Sequence, residues 1–171
     1  MMQDLLKEFI EATAKVNQTL TELADIGIEK QQLIIANEVK ELDSLMRKEG
    51  IVVSNLNRLE GARFQLQEKL ARAWGMSAQD LSATVLLDKV KAEFNELSEV
   101  LEKEINNLNY NLSSLQAINT HNNELIEQSL EYIESIQSLV EGDVAGTYSA
   151  QGERSDEAPA RPSVNLLDKK V

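Results

Sequence analysis

The sequence predicts an all-α fold: an elongated antiparallel helical hairpin or bundle of three main helices, followed by a flexible tail. Three observations lead there. From Met76 to Glu141 the chain has neither Gly nor Pro, the residues that disfavour a helix interior by about 1 and about 3 kcal/mol relative to Ala. Aromatic residues make up only 4% of the chain, and aliphatic residues and Met carry most of the 42% hydrophobic content, a composition suited to helix seams. Alternating β-branched runs closed by Asn-Gly or Asp-Gly turns, the marks of strands, do not occur.

The first helix shows an apolar stripe at Leu6, Phe9, Thr13, Val16, Leu20 and Leu23, with the three- and four-residue steps of one helical face. A second stripe begins at Leu42 and is out of phase by one residue, so the register changes between them. Asn37, followed by Glu38 and Glu41, predicts an N-cap with acids in the first turn. A bend near Asn37 and a new helix after Ile34-Ile35-Ala36 follow from it.

The second seam runs through Leu42, Leu45, Val52, Leu56, Leu59, Leu66, Leu70 and Ala73, with Glu49 and Arg63 in two of its slots. It crosses Gly50 and Gly61 without losing phase, which predicts both glycines inside one helix. The stretch from Trp74 to Asp80 supplies a Gly75 C-cap and a Ser77/Asp80 pair resembling a capping box, so it is read as the hairpin turn.

The third helix carries the longest pattern. One column is Leu87, Phe94, Leu101, Leu108, Leu115, Asn122, Ser129 and Ile136; its companion is Val90, Leu97, Glu104, Asn111, Ile118, Leu125, Tyr132 and Leu139. A third column, Ile105, Leu112, Asn119, Ile126, Ile133 and Val140, widens the stripe, which must then meet more than one neighbour, or a neighbour plus a ligand. A single helix from Leu87 to Val140 would be roughly 80 Å long. Asn111, Asn119, Asn122 and Ser129 interrupt the apolar columns. Such amides either fix register inside the hairpin or sit where the seam is exposed, or they mark a groove left open for another chain. On the groove reading the partner-binding residues are Asn119, Asn122, Leu125, Ile126, Ser129, Tyr132, Ile133, Ile136, Leu139 and Val140.

These patterns divide the chain into a helical, coiled-coil-like domain at residues 1–141 and a tail at 142–171. The middle of the tail, Gln151 to Pro162, has too little apolar surface to order itself. Its end, Val164, Leu166, Leu167 and Val171 with Lys169 and Lys170, reads either as a plain terminus or as a docking peptide that covers a groove.

Composition narrows the function. The chain of 171 residues has 17 Lys plus Arg against 29 Asp plus Glu, a formal net charge of −12, which opposes nucleic-acid binding because that rests on cations neutralising phosphates. With no Cys there is no disulfide, thiol nucleophile or Cys-ligated zinc. The opening Met1-Met2-Gln3-Asp4 has no signal-peptide character, and no run approaches the roughly 18 apolar residues of a membrane span, so a cytoplasmic location is expected. The sole His, His121, has no Ser, Cys or second His around it in a motif; there is no Glu-x-x-His and no Gly-rich phosphate loop. The expectation is a protein that is not an enzyme and holds neither cofactor nor metal.

Several stretches taken in order resemble the FlgN family of flagellar export chaperones. They are Asn37-Glu38-Val39-Lys40-Glu41-Leu42, Leu70-Ala71-Arg72-Ala73-Trp74-Gly75-Met76, the Asn-rich stretch from Asn119 to Ile133, Thr147-Tyr148-Ser149-Ala150-Gln151-Gly152, and the basic segment Leu166 to Val171. The chain departs from relatives in having Ala36-Asn37 where they often show Gly-Asp, and in Gly50. The resemblance implies a cytosolic chaperone of the flagellar type III secretion system. It would bind hook-filament junction (hook-associated) proteins through the helical stretch from about Asn119 to Val140 and deliver them to the export apparatus. Monomer and dimer both fit the pattern. The rival reading is a self-associating coiled-coil scaffold, with seams closed on themselves and no export client.

Overall fold

The structure, a computed structural model, describes residues 1–141, with side chains as far as Leu139. Four helices follow one another: α1 (Met2–Ile35), α2 (Val39–Ala73), α3 (Ala83–Glu93) and α4 (Asn95–Glu141), with no strand among the described residues. The chain falls into two units, Met1–Ile126 and a second that begins at Glu127. The predicted tail at 142–171 lies outside the described residues.

In the first unit, α1 buries its whole predicted stripe: Leu6, Phe9, Thr13, Val16, Leu20 and Leu23 are each at most 4% exposed. Three apolar clusters line up along it. Leu6, Phe9 and Ile10 pack with Leu70, Leu86, Val90, Leu101 and Ile105; Val16 and Leu20 with Leu56, Leu59 and Leu108; Leu23 and Ile26 with Leu45, Val52 and Leu115. As numbers rise along α1 they fall along α2 and rise along α4, so α2 is antiparallel to α1 while this part of α4 runs parallel to it. Each buried Leu, Ile, Val or Phe contributes roughly 1.5–3 kcal/mol.

The bend between the first two helices falls where the phase change places it, but Asn37 has a different job. It sits at φ +57°, past the end of α1. Its N–H bonds to Ile34 O (3.2 Å) and the Glu38 N–H to Leu33 O (3.0 Å), the paired bonds of a Schellman motif. Asn37 thus closes α1 and does not cap α2, whose N-cap is Glu38 with no side-chain cap bond. Asn visits the left-handed conformation more readily than most residues because its short polar side chain can hydrogen-bond to the local backbone. Gly75, at φ +67°, repeats the motif after α2 through Gly75 N–H to Arg72 O and Met76 N–H to Ala71 O, both 3.0 Å.

α2 passes through Gly50 and Gly61 without a break. Its seam ends differently from the prediction, because Ala71 is fully buried and Ala73 exposed. The two charged slots are satisfied by specific partners. Glu49 accepts from Lys30 at 2.7 Å, and Arg63 bonds both carboxylate oxygens of Glu60 (2.6 and 2.8 Å) while lying 5.7 Å from the Phe9 ring centroid.

Ser77 and Asp80 do form a reciprocal pair, Ser77 Oγ to Asp80 Oδ2 at 2.7 Å and Asp80 N–H to Ser77 Oγ at 3.2 Å. It shapes the turn, however, and the next helix starts later, where Ser82 Oγ accepts from Val85 N–H. The predicted single third helix is two helices. At Phe94 the backbone leaves the helical region (φ −139°, ψ 53°), and the half-buried Phe94 packs against the apolar cluster that contains Leu86, Val90 and Leu101. Counting columns could not reveal this, since a one-residue departure in backbone angle leaves every seven-residue spacing intact.

Candidate functional site

The register of α4 on α1 is set by amides. Asn17, 6% exposed, donates through Nδ2 to Glu104 O (2.9 Å) and Glu104 Oε2 (2.8 Å), and Asn111 Nδ2 donates back to Asn17 Oδ1 at 3.3 Å. Further along, Asn122 Nδ2 donates to Gly27 O at 2.8 Å, and a Cβ on Gly27 would stand 2.6 Å from Ile118 Cγ2. Gly27 therefore lets the two backbones approach, and Asn122 uses that closeness.

Of the site residues predicted within the first unit, Asn122 is buried at 2% exposure and faces α1, Asn119 is exposed, Leu125 is half-buried, and Ile126 is 36% exposed. Asn111 and Asn122 act in register, whereas Asn119 lies outside that contact.

The second unit is helical throughout its described part, Glu127–Glu141. Here every side chain from Glu127 to Leu139 is exposed. Ser129, Tyr132 (67%), Ile133 (48%), Ile136 (41%) and Leu139 (78%) are among them; the side chain of Val140 lies outside the described residues. Steps of three and four residues bring Tyr132, Ile133, Ile136 and Leu139 onto one face. Leu130, 52% exposed, belongs to that face as the residue three before Ile133. The column reading missed it because Leu130 falls in none of the three columns; its i,i+4 relation to Ile126 was the signal. At 100° per residue, Glu127, Glu131 and Glu134 fall on the other side of this helical stretch.

His121 is exposed, with Nδ1 4.0 Å from Glu124 Oε2, beside an open depression lined by Ser113, Gln116, Ala117 and Thr120. Among the described residues no group of three or more His, Asp or Glu is placed to hold a metal ion, and no helix is long and apolar enough to cross a membrane.

Fold and face together define an all-α protein that displays an apolar helical surface. The FlgN protein family model matches residues 1–156, and the chain belongs to that family, the flagellar export chaperones. It is a family of chaperones and not of enzymes. Neither a curated protein nor a solved structure matches the chain.

Proposed function

We propose that this chaperone works in the cytoplasm, captures hook-filament junction proteins through the C-terminal half of α4, and delivers them to the export apparatus. The observation that carries the reading is the exposed strip Leu130, Tyr132, Ile133, Ile136 and Leu139 on a helix. A strip of this kind suits an incoming amphipathic helix. Covering it yields about 25 cal/mol per Å² of apolar area, from which the cost of ordering the client is subtracted. That cost keeps the complex releasable, as delivery requires. No nucleotide enters this step.

Ile133→Glu and Ile136→Glu test it. Titration calorimetry with the terminal segment of a hook-filament junction protein is expected to show at least a tenfold loss of affinity, about 1.4 kcal/mol, with helicity and melting unchanged because both side chains are exposed. Unchanged affinity would sink the site. A stable oligomer in light scattering that these substitutions dissolve, with no client bound by the parent chain, would favour the scaffold.

A further inference from the structure

Between Lys103 and Arg154 the chain has no Lys or Arg. Among the described residues of the second unit the only charged side chains are therefore the carboxylates of Glu127, Glu131 and Glu134, all exposed. Their placement is one-sided. At 100° per residue the apolar strip covers about 180° of the helix, from Leu139 through Tyr132, Ile136 and Ile133 to Leu130. Glu134 stands about 40° and Glu127 about 60° beyond Leu130, with Glu131 behind them at about 100°. Past Leu139, at the opposite edge, Gln128 and Ser135 are uncharged.

A helix lying on the strip places its own two flanks over these two edges. Cations on the flank above Leu130 meet Glu127 and Glu134, whereas acids there meet like charge, at a cost. A second copy of this face has no cation to offer, because its edges carry the same carboxylates, amide and hydroxyl. Charge complementarity thus separates the occupants open to an exposed apolar helix, and it favours a foreign basic segment over self-pairing.

We infer that the C-terminal part of α4 selects, among amphipathic helices, those with Lys or Arg along one flank of the apolar face, the acidic edge beyond Leu130 reading that flank. This rests on the reading of the strip as a client surface, and adds the chemistry by which clients are told apart. An ion pair at an exposed rim contributes little by itself. The discrimination comes from attraction to Lys set against repulsion of Glu at the same positions. Such an edge also speeds encounter with a basic segment at low salt.

Three synthetic peptides test this on the full chain. They share one apolar helix face, and the positions along one flank carry Lys, Gln or Glu. Fluorescence anisotropy at low salt is expected to show the Lys peptide binding at least about tenfold more tightly than the Glu peptide, with Gln between them. High salt should shrink that ratio. Glu127→Gln with Glu134→Gln should bring it down towards one. Glu22→Gln with Asp25→Asn, which neutralises two exposed acids of α1, should leave it unchanged. Equal affinities for the Lys and Glu peptides, both lost on Ile133→Gln with Ile136→Gln, would overturn the charge selection and leave the strip as a client surface. A ratio untouched by the Glu127 and Glu134 changes, or lowered as much by the α1 pair, would assign it to overall charge and equally overturn the inference. Binding of no peptide, or binding indifferent to the two Ile substitutions, would sink the strip and the inference together.

Discussion

The side-chain amide of Asn122 donates a 2.8 Å hydrogen bond to the backbone carbonyl of Gly27, 95 residues earlier in the chain. This contact fixes α4 against α1 at a point where the absence of a side chain on Gly27 allows close approach. Asn122 Oδ1 is buried and has no hydrogen-bond partner among the described residues, so one amide both gains and costs. Asn122→Ala should lower unfolding free energy by about 1 kcal/mol. Asn122→Leu should cost less, because it removes the buried acceptor along with the donor while keeping volume. Urea midpoints of the two variants decide this; equal losses would mean the bond contributes nothing specific.

Gly27→Ala should destabilise. A Cβ 2.6 Å from Ile118 Cγ2 is a clash, and overpacking costs roughly 1–3 kcal/mol, more than the gain of about 1 kcal/mol in helix propensity. Ile118→Ala in the same chain removes the clashing methyl, so a double-mutant cycle should show favourable coupling. Additive losses would place the strain elsewhere.

Gly50 and Gly61 behave oppositely. Nothing lies within 4 Å of a Cβ built on either, and both sit in the interior of α2. Each change to Ala should raise stability by about 0.5–1 kcal/mol, and the two should add. The check is a higher denaturation midpoint at constant m-value.

Asn37→Gly should leave stability unchanged or slightly higher, since φ +57° is free of strain for Gly. Asn37→Ala should lose about 1 kcal/mol. Were Asn37 an N-cap of α2, Gly would cost a few tenths and Ala about 1 kcal/mol, so a gain with Gly, read in thermal melts, separates the two roles.

The central stripe of α1 was legible in the sequence, because burial along a long helix repeats at three and four positions: all six predicted residues are buried, although Ile10, Asn17 and Ile26 beside them are buried too and were not read. Columns in α4 were equally legible where they meet α1, at Leu101, Ile105 and Leu108. Two things were hidden. Asn37 is an acceptable residue at either end of a helix, so only its backbone angle, not its identity, distinguishes closing α1 from opening α2. Asn111, Asn119 and Asn122 look alike as interruptions of a seam, yet Asn111 and Asn122 have partners on α1 while Asn119 is exposed. Which amide finds a partner depends on the opposite helix, and Gly27, the residue that brings it close, looks from sequence like a mere weak point.

The cation-free run in α4 also governs how this protein is observed. Trypsin cuts after Lys103 and next after Arg154, so a single 51-residue peptide carries the entire exposed strip. Amine-reactive cross-linkers find no lysine anywhere along it. Footprinting of the complex with its cargo therefore calls for cleavage at glutamate and for carboxyl-directed reagents, for which Glu127, Glu131 and Glu134 are built-in handles.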